Sequence, residues 1–184
     1  PYTYSRDELV VMLDEALEQA RPATSTADSQ SEPSSEAGLH EAVWSGDVDA
    51  VRELIESGAD LNVREPAGGS SPLISAATFG QTEAARLLIE AGADLDQQNN
   101  DGSTALITAA FFARAEIVAA LLDSGADKSL RNNAGSTALD AVTPPFEAVR
   151  DIYDFVGAML RPYGLELDYE RIEATRPTLA EMLR

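Results

Sequence analysis

The chain has 184 residues, no cysteine and a formal charge of −19, from 13 basic and 32 acidic side chains. That length can bury a sizeable core, and the missing thiols exclude disulfides, thiolate catalysis and cysteine-held metals. So acidic a field repels phosphate backbones and anionic membranes and draws in basic partners, so neither nucleic acid nor a membrane is an expected ligand. No apolar run approaches the ~20 residues needed to span a bilayer. Residues 2–7 are polar and no cleavage pattern follows, so no signal peptide is expected; the start at Pro1 rather than Met leaves room for an upstream segment. Twelve arginines stand against the single Lys128. With the abundant alanine this hints at a bacterial genome rich in GC, and a cytoplasmic location is the expectation.

In chain order, residues 1–20 come first. Ser5-Arg-Asp-Glu8 has the pattern of a capping box, and Leu9, Val10, Leu13 and Leu17 form one apolar side of an amphipathic helix. That stripe needs cover, on repeat 1, in the groove or on another molecule. Residues 21–37 are serine, threonine, proline and acid, the composition of a flexible linker.

Residues 38–143 repeat themselves. Glu56-Ser-Gly-Ala-Asp-Leu-Asn62 recurs as Glu90-Ala-Gly-Ala-Asp-Leu-Asp96 and as Asp123-Ser-Gly-Ala-Asp-Lys-Ser129, with the glycines 34 and then 33 residues apart. Upstream of these lie Gly38-Leu-His-Glu-Ala42, Pro72-Leu-Ile-Ser-Ala76 and Ala105-Leu-Ile-Thr-Ala109, and a fourth copy opens at Thr137-Ala-Leu-Asp140. Self-similarity at such a period marks a stacked array. Ser71, Thr104 and Thr137 can cap a helix start, with Pro72 suited to the first helical position. A second helix in each unit carries apolar residues at helical spacing: Val51, Leu54 and Ile55, then Leu87, Leu88 and Ile89, then Ile117, Val118, Leu121 and Leu122. Alanines 76, 77, 109 and 110 let paired helices approach closely. The tips Asn99-Asn-Asp-Gly102 and Asn132-Asn-Ala-Gly135 read as turns.

These words resemble the ankyrin repeat, with its Thr-Pro-Leu-His start and its Gly-Ala-Asp after the second helix. The resemblance implies an all-α, ankyrin-type helical solenoid of three clear repeats and a degenerate fourth, each a helix pair with a projecting turn. Two departures stand out. Ala113 occupies the inter-helix turn position that Gly46 and Gly80 fill, and a left-handed backbone there costs an alanine roughly 1 kcal/mol or more. The loop before Ser71 has one extra residue and two glycines, Gly68 and Gly69, so an irregular first finger is expected.

Residues 144–184 read as the rest of the degenerate repeat and a C-terminal helical cap covering the last apolar face. Pro144-Pro145 ends the first helix of unit 4 early. A longer helix at about 146–160 follows, with Val149, Ile152, Tyr153 and Val156 on its apolar side, then two shorter segments at 168–174 and 177–183.

No chemistry-bearing constellation emerges. His40, the only histidine, falls on the family's Thr-Pro-Leu-His position, where the resemblance implies a structural bond across the inter-repeat turn. The run from Asp94 fails as a calcium loop, with Asn99 at its sixth position and Ala105 at its twelfth. No enzyme activity, cofactor or metal is therefore expected. What the resemblance implies is a protein partner held on the concave face, by the ends of the first helices and the turn tips. Those positions are Trp44, Ser45, Thr78, Phe79, Phe111 and Phe112 on the helices, and Asn100, Asp101, Ser103, Asn133 and Ser136 on the tips. The charge points to a partner with a basic surface. Two other roles fit the same residues: an inhibitor or immunity-type protein neutralising a basic toxin or nuclease, and a structural or regulatory subunit of a larger enzyme assembly.

Overall fold

Hydroxyl side chains start three of the inner helices. The computed structural model describes residues 35–184, so the expected helix over 1–20 and most of the expected linker lie outside the described residues. Ser71 accepts the amide of Ile74, and Thr104 that of Ile107, at 3.3 and 3.2 Å. At Thr137 the arrangement is reciprocal: its hydroxyl accepts the Asp140 amide while the Asp140 carboxylate accepts the Thr137 amide. Each such cap satisfies donors that the first helical turn leaves free.

The inner helices are α1 (Ser35–Ser45), α3 (Pro72–Phe79), α5 (Ala105–Phe111) and α7 (Ala138–Val142), and the outer ones α2 (Val48–Glu56), α4 (Thr82–Glu90) and α6 (Ala115–Asp123). Helix α1 begins inside the stretch read as linker. Inner helices pack in the row α1–α3–α5–α7, and outer helices in the row α2–α4–α6. Leu39, Leu73, Leu106, Val51, Leu88 and Leu121 are buried between the rows, and alanines 76, 77, 109 and 110 are fully buried. Helices of five to eleven residues are too short to persist alone, so this stacking holds them. No strand occurs among the described residues.

The projecting turns are braced by side chains. Asn99 Oδ1 accepts the amides of Asp101 and Ser103, and Asn132 Oδ1 those of Ala134 and Ser136. In the longer first finger the longer Glu65 side chain takes this role, accepting from the amides of Ala67, Gly68 and Ser70. The expected irregularity is thus a substitution of one brace for another.

The C-terminal part departs from the repeat plan. Helix α7 stops at Val142, before Pro144-Pro145, and α8 runs over Phe146–Leu160, followed by a 3-10 turn at Arg161–Tyr163. The two short segments expected after it are one helix, α9 (Tyr169–Leu183), with Pro177 in its interior. An interior proline removes a backbone bond and typically costs about 3 kcal/mol. Here the helix buries Ile172, Arg176, Leu179 and Leu183 along a single face, and that packing prevails over the local break. Because α9 packs on α6 and α7, it occupies the outer-helix place of the fourth unit, and α8 is an insertion between the two halves of that unit.

Helix α8 is tied down by Tyr153. Its hydroxyl donates to the Phe111 carbonyl at 2.6 Å and accepts from Arg176 Nη1 at 2.9 Å, while Arg176 Nη2 donates to the Pro144 carbonyl at 2.7 Å. Burial pushes the Tyr153 phenol above its ordinary value, against the opposing Arg176 charge, so the hydroxyl stays protonated and able to donate. Ile152, expected on the apolar side of α8 with Tyr153, is 50% exposed. The apolar arc of this helix is wider than the surface it rests on.

Candidate partner-binding surface

The inner helices end at equivalent points, so their last residues form rows across the stack. One row is Trp44, Thr78 and Phe111; the next is Ser45, Phe79 and Phe112. Trp44 is 43% exposed, its ring tilted against that of His40 at 5.8 Å. Ser45 is exposed, and its hydroxyl donates to the Ala42 carbonyl. Thr78 and Phe79 are half-buried, and the Thr78 hydroxyl donates to the Ile74 carbonyl. Phe111 is half-buried under Tyr153, the two rings stacked at 4.5 Å.

Phe112 is the exception among the expected anchors. It is 5% exposed, set edge-on to Phe111 at 5.0 Å, with the Arg114 guanidinium 6.0 Å from its ring centre. It cannot anchor a partner from that position. One residue on a helix turns a side chain by about 100°, which carries Phe112 inward while Phe111 keeps part of its surface.

The turn tips are also partly committed. Asn100 Oδ1 accepts from Arg64, its amide nitrogen donates to the Ala67 carbonyl, and Asn133 Nδ2 donates to the Asn100 carbonyl. Asn100 and Asn133 therefore clamp neighbouring fingers together while remaining exposed. Asp101 is exposed and Ser103 and Ser136 are half-buried, without side-chain bonds of their own. The recurrence of Asn-Asn at 99–100 and 132–133 was the available signal: words that repeat in register serve the stack, whereas Trp44, Thr78 and Phe111 differ from copy to copy.

His40 binds across the turn as the resemblance implied. Its Nε2 lies 3.2 Å from the Val63 carbonyl and its Nδ1 3.5 Å from the Ser75 hydroxyl. The carbonyl requires Nε2–H as donor, which leaves Nδ1 to accept from Ser75 in the neutral ring. Burial pushes the imidazole below its ordinary value, opposed by the Val63 bond and the Glu65 charge.

Arg114 closes the far side. Nη2 donates to the Thr78 carbonyl at 3.1 Å, and the guanidinium lies so close over Gly80 that a methyl there would come within 2.7 Å of it. Burial, with the nearby Arg171 charge, lowers Arg114 to about 10, so it remains a cation at neutral pH. Gln81 crosses Gly46 in the same way. Ala113, at the third such turn, has φ 54°, the one left-handed non-glycine backbone among the described residues.

Among the described residues no group of three or more histidine, aspartate and glutamate side chains is placed to hold a metal, and no helix is long and apolar enough to cross a membrane. Stacked helix pairs with projecting turns and a ridge of mixed aromatic and polar side chains define a helical solenoid, an architecture that presents an extended surface. The family model for ankyrin repeats, in three copies, matches residues 39–132. The chain belongs to the ankyrin repeat family, whose repeats generally mediate protein–protein interaction. No curated protein matches it.

Proposed function

We propose that this chain is a non-catalytic binding module that holds a basic partner protein in the concave groove, chiefly over its first two repeats. The exposure of Trp44 carries the reading: it is the large aromatic of its row left open, at the position where Phe111 is covered by Tyr153. Phe79 adds apolar surface beside it, and Ser45, Thr78, Asp101, Ser103 and Ser136 supply polar contacts, with Asn100 and Asn133 offering what their finger bonds leave free. Aromatic side chains in such settings are frequent interface anchors, and the charge of −19 speeds encounter with a basic surface.

The test is kinetic. Once a partner is captured, Trp44→Ala and Phe79→Ala should each speed dissociation by a factor corresponding to roughly 1–2 kcal/mol. Association with the wild type should slow as salt rises past about 0.1 M, where the screening length is near 10 Å. Two alanine variants that fold and bind unchanged would remove the groove from consideration. Phe112→Ala is no test of binding, since deleting a buried phenylalanine destabilises by roughly 3–5 kcal/mol.

A second reading, neutralisation of a basic toxin or nuclease, is favoured by the outer helices. Asp49, Glu83 and Glu116 recur at repeat spacing, as do Glu56, Glu90 and Asp123, and all six are exposed. Parallel carboxylate rows can imitate a phosphate backbone. Loss of binding on replacing one row by glutamine and asparagine, with Trp44→Ala silent, would favour this reading over the groove.

A further inference from the structure

Apolar exposure is concentrated on one segment. Of the five large hydrophobic side chains exposed among the described residues, four belong to α8 and its 3-10 extension: Ile152, Phe155, Met159 and Tyr163, at 50, 36, 38 and 53%. Their spacing of three, four and four residues aligns them on one side of the helix. The stripe extends over about 16 Å at 1.5 Å per residue, the length of three turns of a second helix. It is distinct from the covered side, where Phe146 and Tyr153 are buried. A helix inserted only to cap the stack has no use for a second apolar face, and such patches mark interaction sites.

The borders of the stripe indicate what would cover it. By helical geometry, half-buried Val149 and Val156 flank it toward the solenoid, and exposed Glu147 and Asp151 flank it on the outer edge. The two cations of the segment are engaged off the stripe: Arg150 pairs with Glu147 at 3.7 Å and lies 5.9 Å from the Tyr169 ring centre, and Arg161 lines a concavity with Asp154, Gly157 and Tyr169. A second copy of this chain would bring another −19 against the first, and like charges across an interface are unfavourable. We propose that the outer face of α8 is a second docking surface, which receives an amphipathic helix of a partner protein with apolar residues at i, i+3 and i+7 and lysine or arginine along its flank. This proposal is independent of the groove reading and survives its failure.

The experiment titrates the full chain with a labelled synthetic leucine–lysine peptide of about four amphipathic turns, alongside a leucine–glutamate peptide of the same apolar pattern. The wild type should bind the basic peptide, and the triple variant Ile152→Ser, Phe155→Ser, Met159→Ser should weaken it at least about tenfold, the loss of one or two interface anchors. Asp151→Asn should reduce both affinity and its salt dependence. Trp44→Ala should leave binding unchanged, which separates this surface from the groove. Far-UV circular dichroism of the triple variant should give an unchanged melting curve, because the replaced side chains are exposed. Equal binding by the wild type and the triple variant would overturn the proposal, as would equal binding of the acidic peptide. Three further results would also overturn it: a wild-type dimer that the triple variant dissolves, partition of the wild type onto phosphatidylcholine vesicles, or a triple variant that no longer melts cooperatively.

Discussion

Two glycine-to-alanine changes should differ in cost because of a single arginine. Gly80 and Gly92 both have left-handed backbones, with φ of 72° and 89°. A methyl at Gly92 would meet nothing within 4 Å, whereas one at Gly80 would press on the guanidinium of Arg114. Backbone strain for alanine in this region is about 1–2 kcal/mol and applies to both. At Gly80 the arginine must also leave its seat, losing the bond to the Thr78 carbonyl and its place near Phe112. A hydrogen bond from a charged group contributes about 1.5–3 kcal/mol. Gly92→Ala should therefore cost about 1 kcal/mol and Gly80→Ala about 3. The reduced chain entropy of alanine in the unfolded state is common to both and cancels from the difference. Urea unfolding followed by circular dichroism, with Trp44 fluorescence as a second probe, measures each value. In an Arg114→Ala background the cost of Gly80→Ala should fall to that of Gly92→Ala. Equal costs in the wild-type background, or no change in the Arg114→Ala background, would refute the account of why this turn requires glycine.

Ala113→Gly should change stability by less than about 0.5 kcal/mol: relief of left-handed strain is offset by loss of a methyl at a site only 3% exposed and by a more flexible unfolded chain. A gain well above that in urea unfolding would show that the methyl packs poorly. Tyr153→Phe should cost about 1–3 kcal/mol, because Arg176 Nη1 and the Phe111 carbonyl lose their shared partner; a neutral result would mean that water replaces the hydroxyl. Since the folded pKa of His40 lies below its unfolded value, the fold favours the neutral ring, so its contribution is present above about pH 6.5 and lost as pH falls below it. The urea midpoint should decline over that interval in the wild type and less in His40→Gln.

The repeat was legible because three glycine words and four leucines keep one spacing, and the stack imposes that spacing. Other features depended on what lies opposite a residue, which no local pattern states. Pro177 reads as a helix breaker, and only the burial of Arg176, Leu179 and Leu183 against α6 and α7 explains the unbroken α9. Periodicity placed Ile152 on an apolar arc but could not say which part of that arc would be covered. Phe111 and Phe112 are neighbours of one type, yet a one-residue rotation buries the second. The asparagines of the finger tips have a composition suited equally to gripping a ligand or a neighbouring finger, and at positions 100 and 133 they grip a finger.

The insertion of α8 has a consequence for the order in which the molecule assembles. In the regular units an outer helix soon meets its successor: Ala115 follows Glu90 by 25 positions, but Tyr169 follows Asp123 by 46. Closing the longer loop costs only about 0.5 kcal/mol more, so the finished structure hardly registers it. The timing registers it more. During synthesis the first three units can form as they emerge, while the outer surface of α6 waits uncovered until α9 has been made. For that interval the growing molecule is an open-ended stack with a sticky last layer, the state in which strays of the same kind associate. Chains shortened before Leu179 would remain in it.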